Sequence, residues 1–580
     1  MDDINRNAPV LTDLGPRDPD PDTGLEWWRG KVMYQIYPRS FMDSNGDGIG
    51  DLNGITAKLG YVADLGVEGI WISPFFTSPM KDFGYDVADY WDVDPVFGTL
   101  QDFDRLVATA HDLGLKVIID QVYSHTSDQH PWFTESREDA TNPKADWYVW
   151  HDPKPDGTPP NNWLSAFGGP AWTWDGRRRK YYLHNFLASQ PDLNLHNPEV
   201  QDALIDVMRF WLERGVDGFR LDAINLGMHD PKLRDNPPVP DDGGPIIKPY
   251  YMQQHKWNLS HDDMPEFLTR LRTAADAYGA VFTVAEIGGV DVRPVQMAYT
   301  SEDRHLSAAY SFEFLSPVMP TAEQIAESLD PWPDDPLEGW PAWAFSNHDA
   351  ERIANRWNGG ELDPAWARLM GLILLSLRGN IFLYQGEELG LPQAHVPFER
   401  LQDPEALANW PNTMGRDGAR TPMPWVADHP LGGFSSAEPW LPMDPHHLPL
   451  AVAAQEDDPD SLLHWTRRLV ALRHASPALL SGTMRFLDAP KGVLAILRES
   501  VDESIVGVFN IGEDAVAWTP PDLEIGEVLA AVAPAGSPAH AGARDQAPSG
   551  DIPEVQGAVS SPLPPAAGYL ARCTVSESGS

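Results

Sequence analysis

Cysteine is nearly absent from this chain of 580 residues: Cys573 is the only one. No intrachain disulfide can form, so stability must come from packing. A chain of this length has ample material for a large core and more than one domain. Long apolar runs are missing as well. No stretch approaches the ~20 apolar residues that a membrane-crossing helix needs. The start, MDDINRNAPV, has no basic segment leading into an apolar one, so no secretion signal is read there. Basic residues are scarce: 42 Lys and Arg stand against 85 Asp and Glu, a formal net charge of −43. A surface of that sign repels phosphate backbones and anionic lipid, which argues against nucleic-acid and membrane partners. These absences predict a cytoplasmic protein, and a monomer or homodimer is expected.

What the chain does have is a repeating order of buried strand and amphipathic helix. Apolar segments at 32–41, 66–74, 116–123, 215–225, 280–288, 308–315, 341–349 and 380–388 read as strands. Helical patterns lie between them. Ile55, Leu59, Val62 and Leu65 share one face, and Gly66 closes that segment. Thr99 caps a second helix, Asn197-Pro198 opens a third, and Leu462, Trp465, Leu469 and Leu472 line one after the eighth strand. Eight such units predict the α/β class, as a closed (β/α)8 barrel over residues 1–123 and 197–477. Residues 124–196 are too long for a βα loop and rich in Trp, Tyr and Pro. They predict a small domain inserted after strand 3, over the barrel mouth. A second long insertion, 389–457, follows strand 8. From 478 to 580, short strands such as MRFLDA, GVLAILRE and IVGVFN predict a C-terminal antiparallel β-sandwich. Residues 1–26 read as an irregular arm, and 533–566 as loop.

Charged residues gather at the C-terminal ends of these strands: Asp120, Arg220 and Asp222, Glu286, then His348 and Asp349. Arg220 and Asp222, in GVDGFRLDAIN, are two apart and so face the same side of a strand. A buried cation and carboxylate must pair or face a polar pocket. Barrel active sites lie at that end of the strands, so the set should converge. Crowded carboxylates repel one another. At least one pKa then rises, which leaves a protonated acid beside an ionised neighbour. Cleavage of an acetal uses such a pair: one carboxylate attacks the anomeric carbon while the protonated one donates to the leaving oxygen.

The motifs GVEGIWISP, DQVYSH, QPDLN, GFRLDAIN, AEIGG, FSNHD and GNIFLYQGEE stand in this order from about residue 66 to 388. On them the chain resembles the α-amylase family of glycoside hydrolases, in its oligo-1,6-glucosidase/α-glucosidase branch. The resemblance runs from about residue 27 to the end of the barrel. It implies a retaining, exo-acting α-glucosidase that frees glucose from the non-reducing end of short α-glucosides through a covalent glucosyl-enzyme. By that resemblance Asp222 is the nucleophile, Glu286 the general acid/base, and Asp349 a third carboxylate that grips ring hydroxyls. Arg220 holds Asp222, with Asp120 in support. His125 and His348 bind hydroxyls of the terminal glucose, and Asp82 pairs with Arg420 to close the pocket on the 4-hydroxyl. Tyr85 stacks under the sugar ring, and Phe167 and Phe186 form walls.

Ala223 follows the nucleophile. In the family valine here goes with α-1,6 linkages and smaller residues with α-1,4; a β-branched side chain narrows the space beside the leaving group. An α-1,4, maltose-like substrate is therefore expected. The alternatives are transglucosylation to sugar or alcohol acceptors, and an α-1,6 preference. Internal cleavage is disfavoured by the Asp82/Arg420 closure. Catalytically silent transporter subunits of this kin carry a membrane span and lose the carboxylates, and this chain does neither.

The loop Asp43-Ser-Asn45-Gly-Asp47-Gly-Ile49-Gly-Asp51 carries oxygen ligands at positions 1, 3, 5 and 9 and glycine at 6, as a calcium loop does. Position 12 is Gly54 in place of the EF-hand glutamate. The resemblance implies a structural Ca2+ or Mg2+ here, with Ile49 giving its backbone carbonyl, and no organic cofactor.

Overall fold

A computed structural model describes residues 26–240, 246–289, 291–301, 304–329, 332–335, 338–534 and 562–575. Most of the expected N-terminal arm and of the 533–566 loop lies outside them. Eight parallel strands form one sheet: β1 (Val32–Ile36), β2 (Gly69–Ile72), β3 (Lys116–Val122), β4 (Gly218–Asp222), β5 (Phe282–Ile287), β6 (Ala308–Ser311), β7 (Ala342–Ala344) and β8 (Asn380–Tyr384). Their spatial order is 6-5-4-3-2-1-8-7, and a parallel bridge between Ala309 and Pro341 joins the two ends into a (β/α)8 barrel.

One main helix follows each strand: α1 (Leu52–Asp64), α2 (Leu100–Asp112), α3 (Pro198–Glu213), α4 (Met264–Asp276), α5 (Arg293–Thr300), α6 (Ala322–Leu329), α7 (Pro364–Ser376) and α8 (Leu462–Ala475). Their starts are written in the sequence. Thr99 and Asp102 form a reciprocal capping box at α2, Asn197 caps α3 with Pro198 in its first turn, and Ser461 caps α8. Such caps are each worth about 1 kcal/mol. The larger contribution is the apolar layer between strands and helices, where Ile55, Leu59, Val62, Phe103, Leu106, Trp211 and Leu369 are buried. Each adds roughly 1.5–3 kcal/mol.

The strands are shorter than the sequence reading. β1 stops at Ile36 because Pro38 opens a short helix, Pro38–Phe41. Proline fits the first helical turn but cannot donate to a sheet. β7 keeps three residues, and FSNHD lies beyond it as loop.

After β3 the chain leaves the barrel and forms a three-stranded antiparallel sheet from Trp150–His151, Lys180–Leu183 and Trp172–Asp175. It has a small core of its own around Trp163, Ala171, Trp172 and Leu183. At the other end, β9 (Thr483–Phe486), β10 (Val493–Glu499), β11 (Ser504–Asn510), β12 (Leu523–Val532) and β13 (Ala567–Val575) form one five-stranded antiparallel sheet. Where a sandwich was expected, a single sheet stands among the described residues. One face shares the barrel's core through Leu494, Ile496, Phe509 and Leu570. The other, with Val506, Val508 and Tyr569, is covered by Leu487, Val516, Trp518 and Leu563. Among the described residues, no helix is long and apolar enough to cross a membrane.

Candidate active site

Strand register assembles the centre of the site. In β3–β4, Asp120 stands opposite Arg220; in β5–β6, Glu286 stands opposite Tyr310. Arg220 and Asp222 share a side of β4, as period 2 requires. The fully buried Arg220 reaches all of them. Its Nη1 donates to Asp120 Oδ1 at 2.8 Å and to Asp222 Oδ1 at 2.6 Å, and its Nη2 lies 2.5 Å from Glu286 Oε1. Nε and Nη2 also donate to the Tyr310 hydroxyl, at 3.2 and 3.1 Å, and that hydroxyl donates to Glu286 Oε1 at 3.2 Å. Ala223 is in the left-handed region, φ +39°, ψ +37°. This conformation costs about 1–2 kcal/mol in a residue other than glycine. It turns the Ala223 N–H onto Glu286 Oε2 at 2.9 Å.

Asp349 closes the other side. Its Oδ1 accepts from Arg420 Nη2 at 2.7 Å and Arg416 Nη1 at 3.2 Å. His348 is fully buried, with Nε2 3.2 Å from Asp349 Oδ2 and 2.5 Å from the Tyr85 hydroxyl, and Nδ1 2.7 Å from Gln35 Nε2. The Tyr85 ring lies parallel to it at 5.3 Å, and its hydroxyl donates to Asp120. His125 approaches the Tyr85 carbonyl and Gln190 through Nε2. Phe186 packs on His125 at 5.0 Å and on Phe167 at 5.6 Å. All eleven catalytic and binding positions named from the sequence thus fall in one connected cluster.

One pairing differs from expectation. Asp82 is joined to Arg416 at 2.8 Å, and Arg420 is held by Asp349 and the His348 carbonyl. Arg416 and Arg420 flank one short helical turn, Asp417–Ala419, and both reach Asp349 Oδ1. Arg416 is fixed in turn by Asp403 at 2.7 Å and lies over the Phe167 ring. Asp86, by contrast, pairs with no arginine among the described residues. It accepts the Lys81 and Asp82 amides and the Ser78 hydroxyl, and so shapes the loop that presents Asp82 and Tyr85.

The charges do not balance. Asp82, Asp120, Asp222, Glu286, Asp349 and Asp403 face three guanidiniums, those of Arg220, Arg416 and Arg420. Burial pushes Asp222 up to about 7; Arg220 opposes this, and the charge on Asp120 adds to it. Burial likewise pushes Glu286 up to about 7 against Arg220, with Asp222 and Asp349 adding to the rise. Both carboxyls are thus raised toward neutral pH, where one can keep a proton beside an ionised neighbour, as acid/base cleavage requires. Asp349 behaves oppositely. Burial would raise it, but His348, Arg420 and Arg416 hold it well below the usual carboxylate range. Burial itself keeps His348 uncharged, so the two arginines carry that effect.

A buried, Arg-organised carboxyl pair at the C-terminal end of a (β/α)8 barrel is joined by a sequence match. The family profile described as "Alpha amylase, catalytic domain" covers residues 35–482. The chain belongs to the α-amylase family. Within it, the chain is 55% identical over 506 residues to a "Probable alpha-glucosidase" of Rhizobium meliloti, covering 86% of this chain and 91% of that one. It is 37% identical to an "Oligo-1,6-glucosidase" of Heyndrickxia coagulans, covering 86% and 94%. Among solved structures, the "alpha-glucosyl transfer enzyme, XgtA" superposes with a TM-score of 0.86 at 49% identity, covering 94% of this chain and 99% of that one. The trehalulose synthase MutB from Pseudomonas mesoacidophila gives 0.81 at 30%, covering 94% and 99%. This α-amylase-family chain is a glycoside hydrolase by membership.

Sequence reasoning passed over Arg416, Gln190, Asp403 and Tyr310. Arg416 carried a signal, since it precedes Arg420 by one helical turn, and residues so spaced share a face. Gln190 opens QPDLN, and its Nε2 donates to Asp82 at 3.0 Å. Tyr310 reads as core in sequence, and only register reveals it beside Glu286.

The loop of Asp43, Asn45, Asp47, Ile49 and Asp51 lies apart from these charges. Asp43 accepts from the amides of Asn45, Gly46 and Gly48 and from Ser435 at 2.5 Å. Asn45 and Asp47 accept from the amides of Asp47 and Ile49. Asp51 is turned to Ser44 and to the Gly54 amide in the first turn of α1. In kind, these oxygen donors suit a hard cation.

Proposed function

We propose that this chain is a retaining α-glucosidase that frees glucose from the non-reducing end of short α-1,4-linked glucosides. The observation that carries the reading is the Asp222/Glu286 pair, both bound by Arg220 and both shifted to about 7, beside an Asp349 held ionised. Asp222 attacks the anomeric carbon while Glu286 gives its proton to the departing glycosidic oxygen. The product is a β-linked glucosyl ester on Asp222. Glu286, now a carboxylate, takes a proton from the incoming water, whose oxygen bonds to the anomeric carbon as the ester bond breaks. Two inversions restore the α configuration. Asp349 and His348 would hold hydroxyls of the same ring. Asp82, pinned by Arg416 and Gln190, would take the terminal hydroxyls and so favour chain ends.

Ala223 leaves room beside the leaving group, which supports α-1,4 bonds over α-1,6. The names of the relatives favour two further outcomes, α-1,6 cleavage and glucosyl transfer, in which an acceptor hydroxyl takes the place of water. The 43–51 loop would hold a structural Ca2+ or Mg2+ that steadies the start of α1, drawing Asp51 back toward Asp43; no bond-breaking step involves it. The lone cysteine suits a reducing cytoplasm.

Product analysis with maltose, isomaltose and sucrose tests this. Maltose should give glucose only, released first as the α-anomer by proton NMR, and faster than isomaltose does. Release of β-glucose would sink retention. Longer or rearranged products as the main output would assign the enzyme to glucosyl transfer.

A further inference from the structure

Away from the catalytic pocket, three side chains converge from two segments. His196 immediately precedes the cap of α3, and His261 and Asp263 immediately precede α4. One donor atom from each lies within 4.8 Å of the others, and among the described residues no other trio of His, Cys, Asp or Glu does so. We propose that His196, His261 and Asp263 bind a divalent transition metal ion of the zinc type.

The hydrogen bonds indicate which nitrogens are free to ligate. His196 Nε2 lies 2.8 Å from the His229 carbonyl, which can only accept, so Nε2 carries the proton and Nδ1 presents a lone pair. A ligating histidine oriented by a backbone carbonyl is the usual support for a metal site. The Asp263 amide donates to His261 Nδ1 at 3.2 Å, so that nitrogen is unprotonated, and a metal there would take its lone pair in place of this long amide hydrogen bond. Asp263 Oδ2 lies 3.8 Å from His196 Nδ1 and 3.6 Å from His261 Nδ1. Ligands ~2.0–2.1 Å from a tetrahedral zinc stand ~3.3–3.4 Å apart, so closure needs only small side-chain movements. Asp263 makes no capping bond to α4, and its carboxylate is therefore available. The two imidazole rings meet edge to face at 5.1 Å, and both histidines are partly exposed, so an ion can enter from solvent. Two imidazoles and a carboxylate favour zinc over the hard cations that suit the 43–51 loop.

The site has a consequence for the fold. His229 ends the segment that begins at Ala223, just after Asp222, and its carbonyl is the one His196 holds. A metal on His196 would brace this segment from outside the pocket.

The test is titration of Zn2+ into the full chain by calorimetry, with excess Ca2+ present to occupy hard-cation loops. One zinc should bind per chain, and zinc should raise the melting temperature. Co2+ in its place should give the intense visible bands of a tetrahedral ion. The D263N variant alters an exposed side chain and should fold normally. It should bind at least ~100-fold more weakly, as should H261Q. Equal zinc affinity in wild type and in the H261Q/D263N double variant would overturn the assignment, as would the absence of zinc binding to the wild type.

Discussion

Two buried arginines, Arg220 and Arg473, show how the same group serves different ends. Arg473, on α8, is fully buried and donates only to backbone carbonyls: Gly30 before β1, and Leu375, Leu377 and Gly379 before β8. It ties the N-terminal ends of two strands to a helix. Burial lowers it to about 9, with no carboxylate to offset the loss of water. Arg220 sits at the opposite end of the barrel against three carboxylates, and they raise it far above its ordinary value although burial works the other way. Neutral carbonyls satisfy a cation and leave nothing to react. Several carboxylates around one cation leave a surplus of negative charge, and that surplus keeps a proton available.

Replacing the group at each end should separate these roles. The largest effect is expected from Asp222→Asn, which keeps size and hydrogen bonding but removes the attacking charge. Turnover of maltose should fall by at least ~10^4-fold, while the melting temperature is held or raised by relief of repulsion. Retained turnover would end the assignment of Asp222. Next, Arg473→Met should leave carbonyls unpaired and cost about 2–4 kcal/mol in denaturant unfolding. The pH profile of its remaining activity should match that of the wild type, because no reacting group is touched.

Arg416→Lys keeps the charge but loses the planar fork that joins Asp82, Asp349 and Asp403. KM for maltose should rise roughly 10-fold. A KM unchanged by this substitution would mean that Asp82 needs no such partner. The smallest effect is on pH. In kcat/KM, the acid limb reports protonation of Asp222 and the alkaline limb loss of the proton from Glu286; both groups lie near 7, so activity should peak around neutrality. Asp120 raises Asp222 by its charge. Asp120→Asn should therefore lower the pKa of Asp222 and move the acid limb down by about 1 pH unit. A limb that moves upward would mean that lost orientation of Arg220 outweighs the lost repulsion.

Much of this was legible in sequence because buried parallel strands are continuous apolar runs and helix starts carry their caps. Asn197-Pro198, Thr99 and Ser461 each sit where a helix begins. Strand ends were less legible. VMYQIYPRSF and PAWAFSNHD keep apolar residues after the sheet has stopped, because these pack in loops over the barrel mouth. Among the described residues the C-terminal segment forms one sheet where a sandwich was expected, since continuous apolar runs such as VLAIL show that both faces of a strand are covered without showing by what.

By itself the sequence determined the order of eight strands and helices, and which acids, histidines and arginines lie at the strand ends. Those are local properties, set by side-chain periodicity and capping. Tertiary structure alone decided who pairs with whom. Arg416, not Arg420, meets Asp82; Tyr310 reaches Glu286 across a strand register; and His196 comes beside His261 from a distant part of the chain. A hydrogen bond depends on ångström-scale position, and that is fixed only when the strands close and the long loops fold back over them.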